Sequence, residues 1–285
     1  MTPQSLAEEI VTYTPGAMLR RGSLQDMVRD LKGSFGLAIQ FASSDLRTQY
    51  RQMLLGIAWA FLLPVANASI WLFIQSTGIV HVPGTALPYP VYVISGTLLW
   101  SIFMDSVNAP IQQTLAARQV LPKINFPREA LILAGMLQTS FNASIKLVVL
   151  VVAISLLGIA PGLSIMLSPL MVAALILAGT VIGLLLAPIG TLYLDIGRGL
   201  PLLLQFLMFV SPVVYAAPRK GWAAMLFQWN PLTTLISGAR ATLTNQWPSD
   251  WLAFGCILAF LIALLTIGWA AYRAAMPILI ERMST

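Results

Sequence analysis

Apolar positions in this chain mostly come in long unbroken runs. The exception is the stretch before the first run, where Leu24, Met27, Val28, Leu31, Phe35, Ile39 and Leu46 recur near helical spacing with charges between them. That spacing predicts an amphipathic helix over 24–50, lying along a membrane face. Beyond it, runs near 53–75, 88–109, 129–157, 165–193, 198–217 and 250–272 each reach the ~20 residues needed to cross a ~30 Å hydrocarbon core. The third and fourth are long enough to tilt or protrude. Gly/Pro turns, "STGIVHVPGTALP" and "GIAPGLS", separate the first two runs and the third from the fourth. The pattern predicts an all-α membrane protein of six spans, with one domain over 24–285 and an N-terminal extension over 1–23.

Residues 218–249 break the pattern, because Trp222, Phe227, Trp229 and Trp247 crowd a segment punctuated by Pro218, Pro231 and Pro248. Such aromatics favour the headgroup level. Short helices dipping partway into the outer face, between spans 5 and 6, are expected there.

Composition agrees: hydrophobic residues are 58% of the 285 and charged residues 9%, against roughly 25% charged in a soluble domain. The first 50 residues hold several arginines but no early apolar core, so no cleavable signal is expected and the first span serves as the targeting signal. With one cysteine, Cys256, and one histidine, His81, the chain excludes disulfide frameworks and Cys/His metal sites. The net charge of +6 fits cytoplasmic loops facing acidic headgroups rather than nucleic acid. Counting Lys and Arg over alternate loops gives twelve on the side of both termini and three on the other, which puts both termini in the cytoplasm.

No P-loop, zinc-protease or nucleophile-elbow motif occurs, and intramembrane acids are scarce. The chain is therefore not expected to be an enzyme, and energy for any transport must come from another subunit. A surface receiving that force should be stiff, cytoplasmic and joined directly to a span. In "QVLPKINFPREA" (119–130), Pro122 and Pro127 fix the backbone around Lys123, Asn125 and Phe126, and Arg128 and Glu129 open span 3. An ordinary positive-inside turn would read the same way.

Span 3 also carries Gln138, Asn142 and Lys146 at steps of four, one narrow polar stripe. It should face protein or an aqueous path, since a central Lys in lipid costs roughly 2.5–3.5 kcal/mol even on insertion scales. Interhelical hydrogen bonding and path lining fit it equally. A span 2 ending near 109 puts Asp105 one turn from the cytoplasm, whereas Lys146 lies about 27 Å up its helix at ~1.5 Å per residue. The two are expected at different depths.

"ISGTLLWSIF" at 94–103, "FPRE" at 126–129, "LYLDIGRGL" at 192–200, "SPVVY" at 211–215 and "NPL" at 230–232 resemble, in order and setting, the type-2 ATP-binding-cassette (ABC) permeases that export polysaccharides. The likeness covers roughly 35–275. It implies a half-transporter that homodimerises in a bacterial cytoplasmic membrane and works with two copies of a nucleotide-binding ATPase, which binds the ATP and Mg; the chain itself needs no cofactor. It implies export of a lipid-linked glycan, whether O-antigen, a capsule chain or a teichoic acid, with O-antigen foremost. The segment 112–128, including Arg118 and Gln119, matches the family's coupling helix. The helix before span 1 matches its interfacial helix, and the segment holding Trp222, Phe227 and Trp229 matches its outer gate helices. Aromatic faces suit sugar C–H surfaces, so Tyr92 and Trp100 in span 2, and Phe206, Phe209 and Tyr215 in span 5, join the polar stripe as candidates for the path. Other readings are a drug or lipid export permease of the same architecture, or a non-transporting membrane scaffold. "EALILAG" at 129–135 resembles an importer loop only superficially, because it runs straight into span 3.

The charge asymmetry makes a direct prediction. In a Cys256→Ala background, cysteines at Ser44 and Gln119 should resist an impermeant thiol reagent added to sealed cells, while one at Thr85 should react. Labelling at Gln119 would invert the orientation.

Overall fold

The computed structural model describes residues 24–51, 87–119, 128–218 and 220–284, together with scattered positions between 58 and 77. The extension 1–23, most of the first expected span and the knuckle residues Pro122, Lys123, Asn125, Phe126 and Pro127 lie outside the described residues. The elements, in order, are α1 (Leu24–Arg51), α2 (Tyr89–Ala116), α3 (Glu129–Leu156), α4 (Ser168–Leu192), α5 (Leu194–Phe209), α6 (Trp222–Trp229), α7 (Pro231–Leu243) and α8 (Trp251–Ser284). Short 3-10 turns follow α2 at Ala117–Gln119 and precede α4 at Leu163–Leu167.

Four stretches among the described residues are long and apolar enough to cross a membrane: Tyr89–Ala116, Glu129–Leu156, Leu163–Leu192 and Trp251–Met276. The chain is a multi-pass membrane protein. An exposed apolar stripe of Phe141, Val148, Val152 and Leu156 runs down α3, a surface that suits lipid and not water.

Three expected spans differ from their sequence limits; the helix of span 6, expected over 250–272, runs on to Ser284. The helix of span 2 continues seven residues past 109 to Ala116, straight through Pro110. Proline usually marks a helix boundary, but packing against a neighbouring helix tolerates the lost hydrogen bond. The residues from 112 to 116 are thus the last turn of α2. Span 5, expected over 198–217, is a 16-residue helix ending at Phe209, about 24 Å long. Pro212, which has no N–H to donate, falls just past its end, and 210–218 is non-helical.

α2 is the central helix. It packs on α3 along one side and most extensively on α4 along the other, with α1 outside α3 and α8 outside α4; α7 lies across α2 and α4 at one end. The α2–α4 contact is close because Gly179 and Gly183 stand one turn apart on α4, a small-xxx-small pair. A Cβ at Gly179 would lie 2.5 Å from Ser106 Cβ, and one at Gly183 would lie 2.2 Å from the Val107 carbonyl oxygen. The buried core fills in around this seam with Leu98, Phe103, Val107, Leu175 and Leu184.

α1 is helical over the range its periodicity predicts. Its packed edge is Ser34, Ala38 and Ala42, buried against Ala134 of α3, while Phe35 and Ile39 of the apolar stripe stay exposed. Small side chains let the two helices approach, and the larger ones beside them stay uncovered.

Gly183→Ala should therefore push α2 and α4 apart and cost about 1–3 kcal/mol, read as a lower thermal unfolding midpoint in detergent. Gly197→Ala, at a position with open space around it, serves as the control. Equal midpoints for the two would contradict the close seam.

Candidate functional site

"NPL" is the start of a helix. Asn230 is the N-cap of α7, its Oδ1 accepting from the Leu232 amide at 3.0 Å, and Pro231 takes the first helical position. The other end of the same side chain, Nδ2, donates to the Val210 carbonyl at 2.9 Å and to Ser211 Oγ at 3.0 Å. The cap thus ties α7 to the end of α5.

Arg240, near the end of α7, completes the junction. It is 4% exposed. Its Nε donates to Ser95 Oγ at 3.1 Å, its Nη2 to the carbonyls of Pro212 (2.8 Å) and Val213 (3.0 Å), and its guanidinium carbon lies 3.7 Å from the Tyr92 ring centre. Tyr92 OH donates to the Pro212 and Tyr215 carbonyls at 3.2 and 3.1 Å. Non-helical backbone leaves carbonyls that must find donors once water is excluded, and Arg240, Tyr92 and Asn230 supply them. Gly96 is required here, because a Cβ would lie 2.0 Å from the Val213 oxygen. Burial pulls the Arg240 guanidinium below its usual range, partly offset by Tyr92. Three of the five sequence strings, around 94–103, 211–215 and 230–232, therefore meet in one cluster.

At the other end of the bundle, α2 stops and α3 starts beside the last third of α8. Arg118 is exposed in the 3-10 turn that also holds Gln119, and Arg128 is half-buried before α3. Glu129 is buried and pairs with Arg273 Nε at 3.4 Å; Tyr272 OH and Thr114 Oγ1 stand 3.3 Å apart. Displacement of the 119–128 connection would thus bear on α2, α3 and α8 together.

The span 3 stripe is occupied by interhelical bonds. Gln113 Nε2 donates to Asp45 Oδ2 at 2.7 Å and to Gln138 Oε1 at 3.0 Å, and Gln138 Nε2 donates to Gln49 Oε1 at 3.3 Å. These bonds join α1, α2 and α3. Asn142 is half-buried. Lys146 corrects the sequence expectation: its Nζ pairs with Asp105 Oδ2 at 2.6 Å and also donates to Ser101 Oγ. The residues share a depth because α2 runs on to 116, which places Asp105 about 17 Å from that end instead of one turn. Helical side chains lean toward their own N-termini, so in these antiparallel helices the two lean toward each other.

The aromatic candidates divide. Tyr92 and Trp100 are buried, Trp100 with its ring 5.1 Å from Phe103 and its indole N–H without a hydrogen-bond partner among the described residues. Phe206 and Phe209 are exposed on α5. Tyr215 donates its hydroxyl to the Phe209 carbonyl and packs 6.0 Å from Phe227, which is buried, whereas Trp222 and Trp229 are exposed on α6. The fold brings Tyr92, Tyr215 and Phe227 together and leaves the others apart. Among the described residues, no group of three His, Cys, Asp or Glu side chains could hold a metal.

Sequence reasoning missed Arg240, counting it only as a loop charge. A signal existed: it is the one charged residue between Lys220 and Asp250, three turns into a helix announced by Asn-Pro.

No protein-family model matches the chain. An O-antigen export system permease protein of Klebsiella pneumoniae is 24% identical over 217 residues, covering 74% of this chain and 81% of the relative. The polysialic acid transport protein KpsM of Escherichia coli is 26% identical over 239 residues, 80% of this chain and 89% of the relative. An O-antigen export system permease protein of Myxococcus xanthus is 23% identical over 249 residues, 86% and 93%. These relatives bear out the resemblance that the five strings carry.

The Lys146–Asp105 pair can be tested by a double-mutant cycle. Lys146→Met or Asp105→Leu alone should cost about 1–3 kcal/mol, less than the 3–5 of a fully buried pair because Asp105 is partly exposed, and the double variant should recover most of it. Additive losses in unfolding midpoint would sink the pairing.

Proposed function

We propose that this chain, a relative of O-antigen and polysialic acid export proteins, is the membrane-spanning permease subunit of an ATP-driven exporter of a lipid-linked polysaccharide, O-antigen being the best-supported cargo. The observation that carries this reading is the agreement of the relatives in naming glycan export along most of the chain's length. The sequence strings it shares with that family are also residues with defined structural work, joined through Arg240, Tyr92 and Asn230.

In this reading the chain has six spans, both termini are cytoplasmic, and two copies form the conduit. α1 is the interfacial helix, and α6 and α7 are the short gate helices of the outer face. The chain has no P-loop, so ATP and Mg bind a separate ATPase, two copies of which engage the cytoplasmic face. Their closure reaches the spans through 112–128, where Arg118 and Gln119 follow the last turn of α2 and Arg128 leads into Glu129. The pair of buried Glu129 with half-buried Arg273 supports this role, since it carries force from the knuckle onto α8. Gln138 and Lys146 are assigned to holding α1 and α2 against α3; any contact with glycan falls to the exposed aromatics Phe206, Phe209, Trp222 and Trp229.

The triple variant Pro122→Gly, Pro127→Gly, Arg128→Glu should insert normally, retain the ATPase in copurification and lose at least about nine-tenths of surface glycan. Wild-type export by this variant would move the coupling surface elsewhere, with α1 the next candidate. Normal surface glycan after deletion of the chain's own gene would overturn the export reading itself.

A further inference from the structure

A cavity of about 310 Å³ lies beside Arg240, bounded by the start of α2, the 210–217 segment and α7. Its polar lining is Arg240, Tyr92, Thr233, Ser237, Thr244 and Gln246. Arg240 is buried, and its partners, the Ser95 hydroxyl, two backbone carbonyls and Tyr92, are all neutral. No acidic side chain of the described residues pairs with it. The chain has ten acids, and Asp250 is the one acid between 196 and 280; it is exposed and accepts from Ser249. A buried cation without a counter-charge is costly, and the usual remedy is a bound anion or an ion pair.

One polar group in the lining is unused. Thr233 Oγ1 is buried without a hydrogen-bond partner among the described residues. An arginine fork beside hydroxyls and an amide suits a tetrahedral oxyanion with several acceptor oxygens. A neutral sugar would fill the volume but leave the charge uncompensated. Exposed Trp222, Trp229 and Trp247 flank α6 and α7, marking the headgroup layer in which phosphates lie. We infer that this cavity is an anion site that takes a phosphate group and that the phosphate neutralises the buried guanidinium. The rest of the volume admits the group the phosphate is esterified to. A phospholipid headgroup and a water-soluble phosphate share this chemistry. The inference is independent of the export reading.

The test uses the full-length chain in nanodiscs of phosphate-free galactolipid, with thermal unfolding followed by tryptophan fluorescence at constant ionic strength. Either inorganic phosphate, or doping the discs with phosphatidylglycerol, should raise the midpoint by about 3–5 °C at saturation. A response to inorganic phosphate assigns the site to a soluble phosphate; a response to phosphatidylglycerol alone assigns it to a lipid headgroup. Arg240→Lys should weaken the response at least tenfold in concentration. Because that variant also disturbs the 210–217 segment, Thr233→Val, outside those hydrogen bonds, should weaken it about threefold. No response to either phosphate source overturns the inference, as does an undiminished response in folded Arg240→Lys and Thr233→Val.

Discussion

A membrane-embedded chain cannot leave backbone carbonyls without donors, and in this protein the segment 210–217 is where that constraint is hardest to meet. α5 ends at Phe209, Pro212 follows without an N–H to donate, and the chain must still reach α6 with its peptide groups largely shielded from water. The buried guanidinium of Arg240 answers the constraint, bonding two successive carbonyls while its other edge holds Ser95 and its face lies on Tyr92. The position of α7 across α2 follows from it. So does Gly96, since a side chain there would displace either the Val213 carbonyl or the guanidinium. A lysine could not replace this arginine, because one point charge cannot serve three acceptors and a ring face in fixed directions.

The bundle is organised around α2, which touches nearly every other element with a different chemistry along its length. At its start it offers a tyrosine, a serine and a glycine to Arg240. In the middle it presents Ser101 and Asp105 to Lys146, and on the opposite side Ser106 and Val107 meet the glycines of α4. Near its end, Gln113 links α3 to α1 and Thr114 meets Tyr272 of α8. Apolar packing between helices has no hydrophobic driving force in lipid, so close approach and polar bonds carry the specificity. A motion entering where α2 ends and α3 begins has rigid, bonded routes to α1 and α8.

The same economy explains the buried polar stripe of α3. Placed toward lipid, Lys146 would be expensive; placed against α2, it acquires a carboxylate and a hydroxyl and fixes the vertical register of two antiparallel helices. Gln138 does the equivalent between α3 and α1. These residues therefore specify how the helices are offset along the membrane normal, which apolar side chains of similar volume leave undetermined.

The helical character of the chain, the limits of α3 and α4 to within a few residues and the existence of short helices between 218 and 249 were all determined by sequence alone. Each depends on local properties: hydropathy over one helix length, a Gly/Pro turn, an Asn-Pro cap. The glycan-export resemblance was legible for a related reason, since its strings are contiguous. What only the tertiary structure decided was which residues face one another. Asp105 and Lys146 were set at different depths until the continuation of α2 through Pro110 raised one of them, and the packed edge of α1 proved to be its small residues. Arg240 was one loop charge among three until folding buried it against carbonyls 27 and 28 residues earlier. Pairing depends on where each helix ends and how it is rotated, and both are fixed by contacts between elements distant in sequence, which no window along the chain contains.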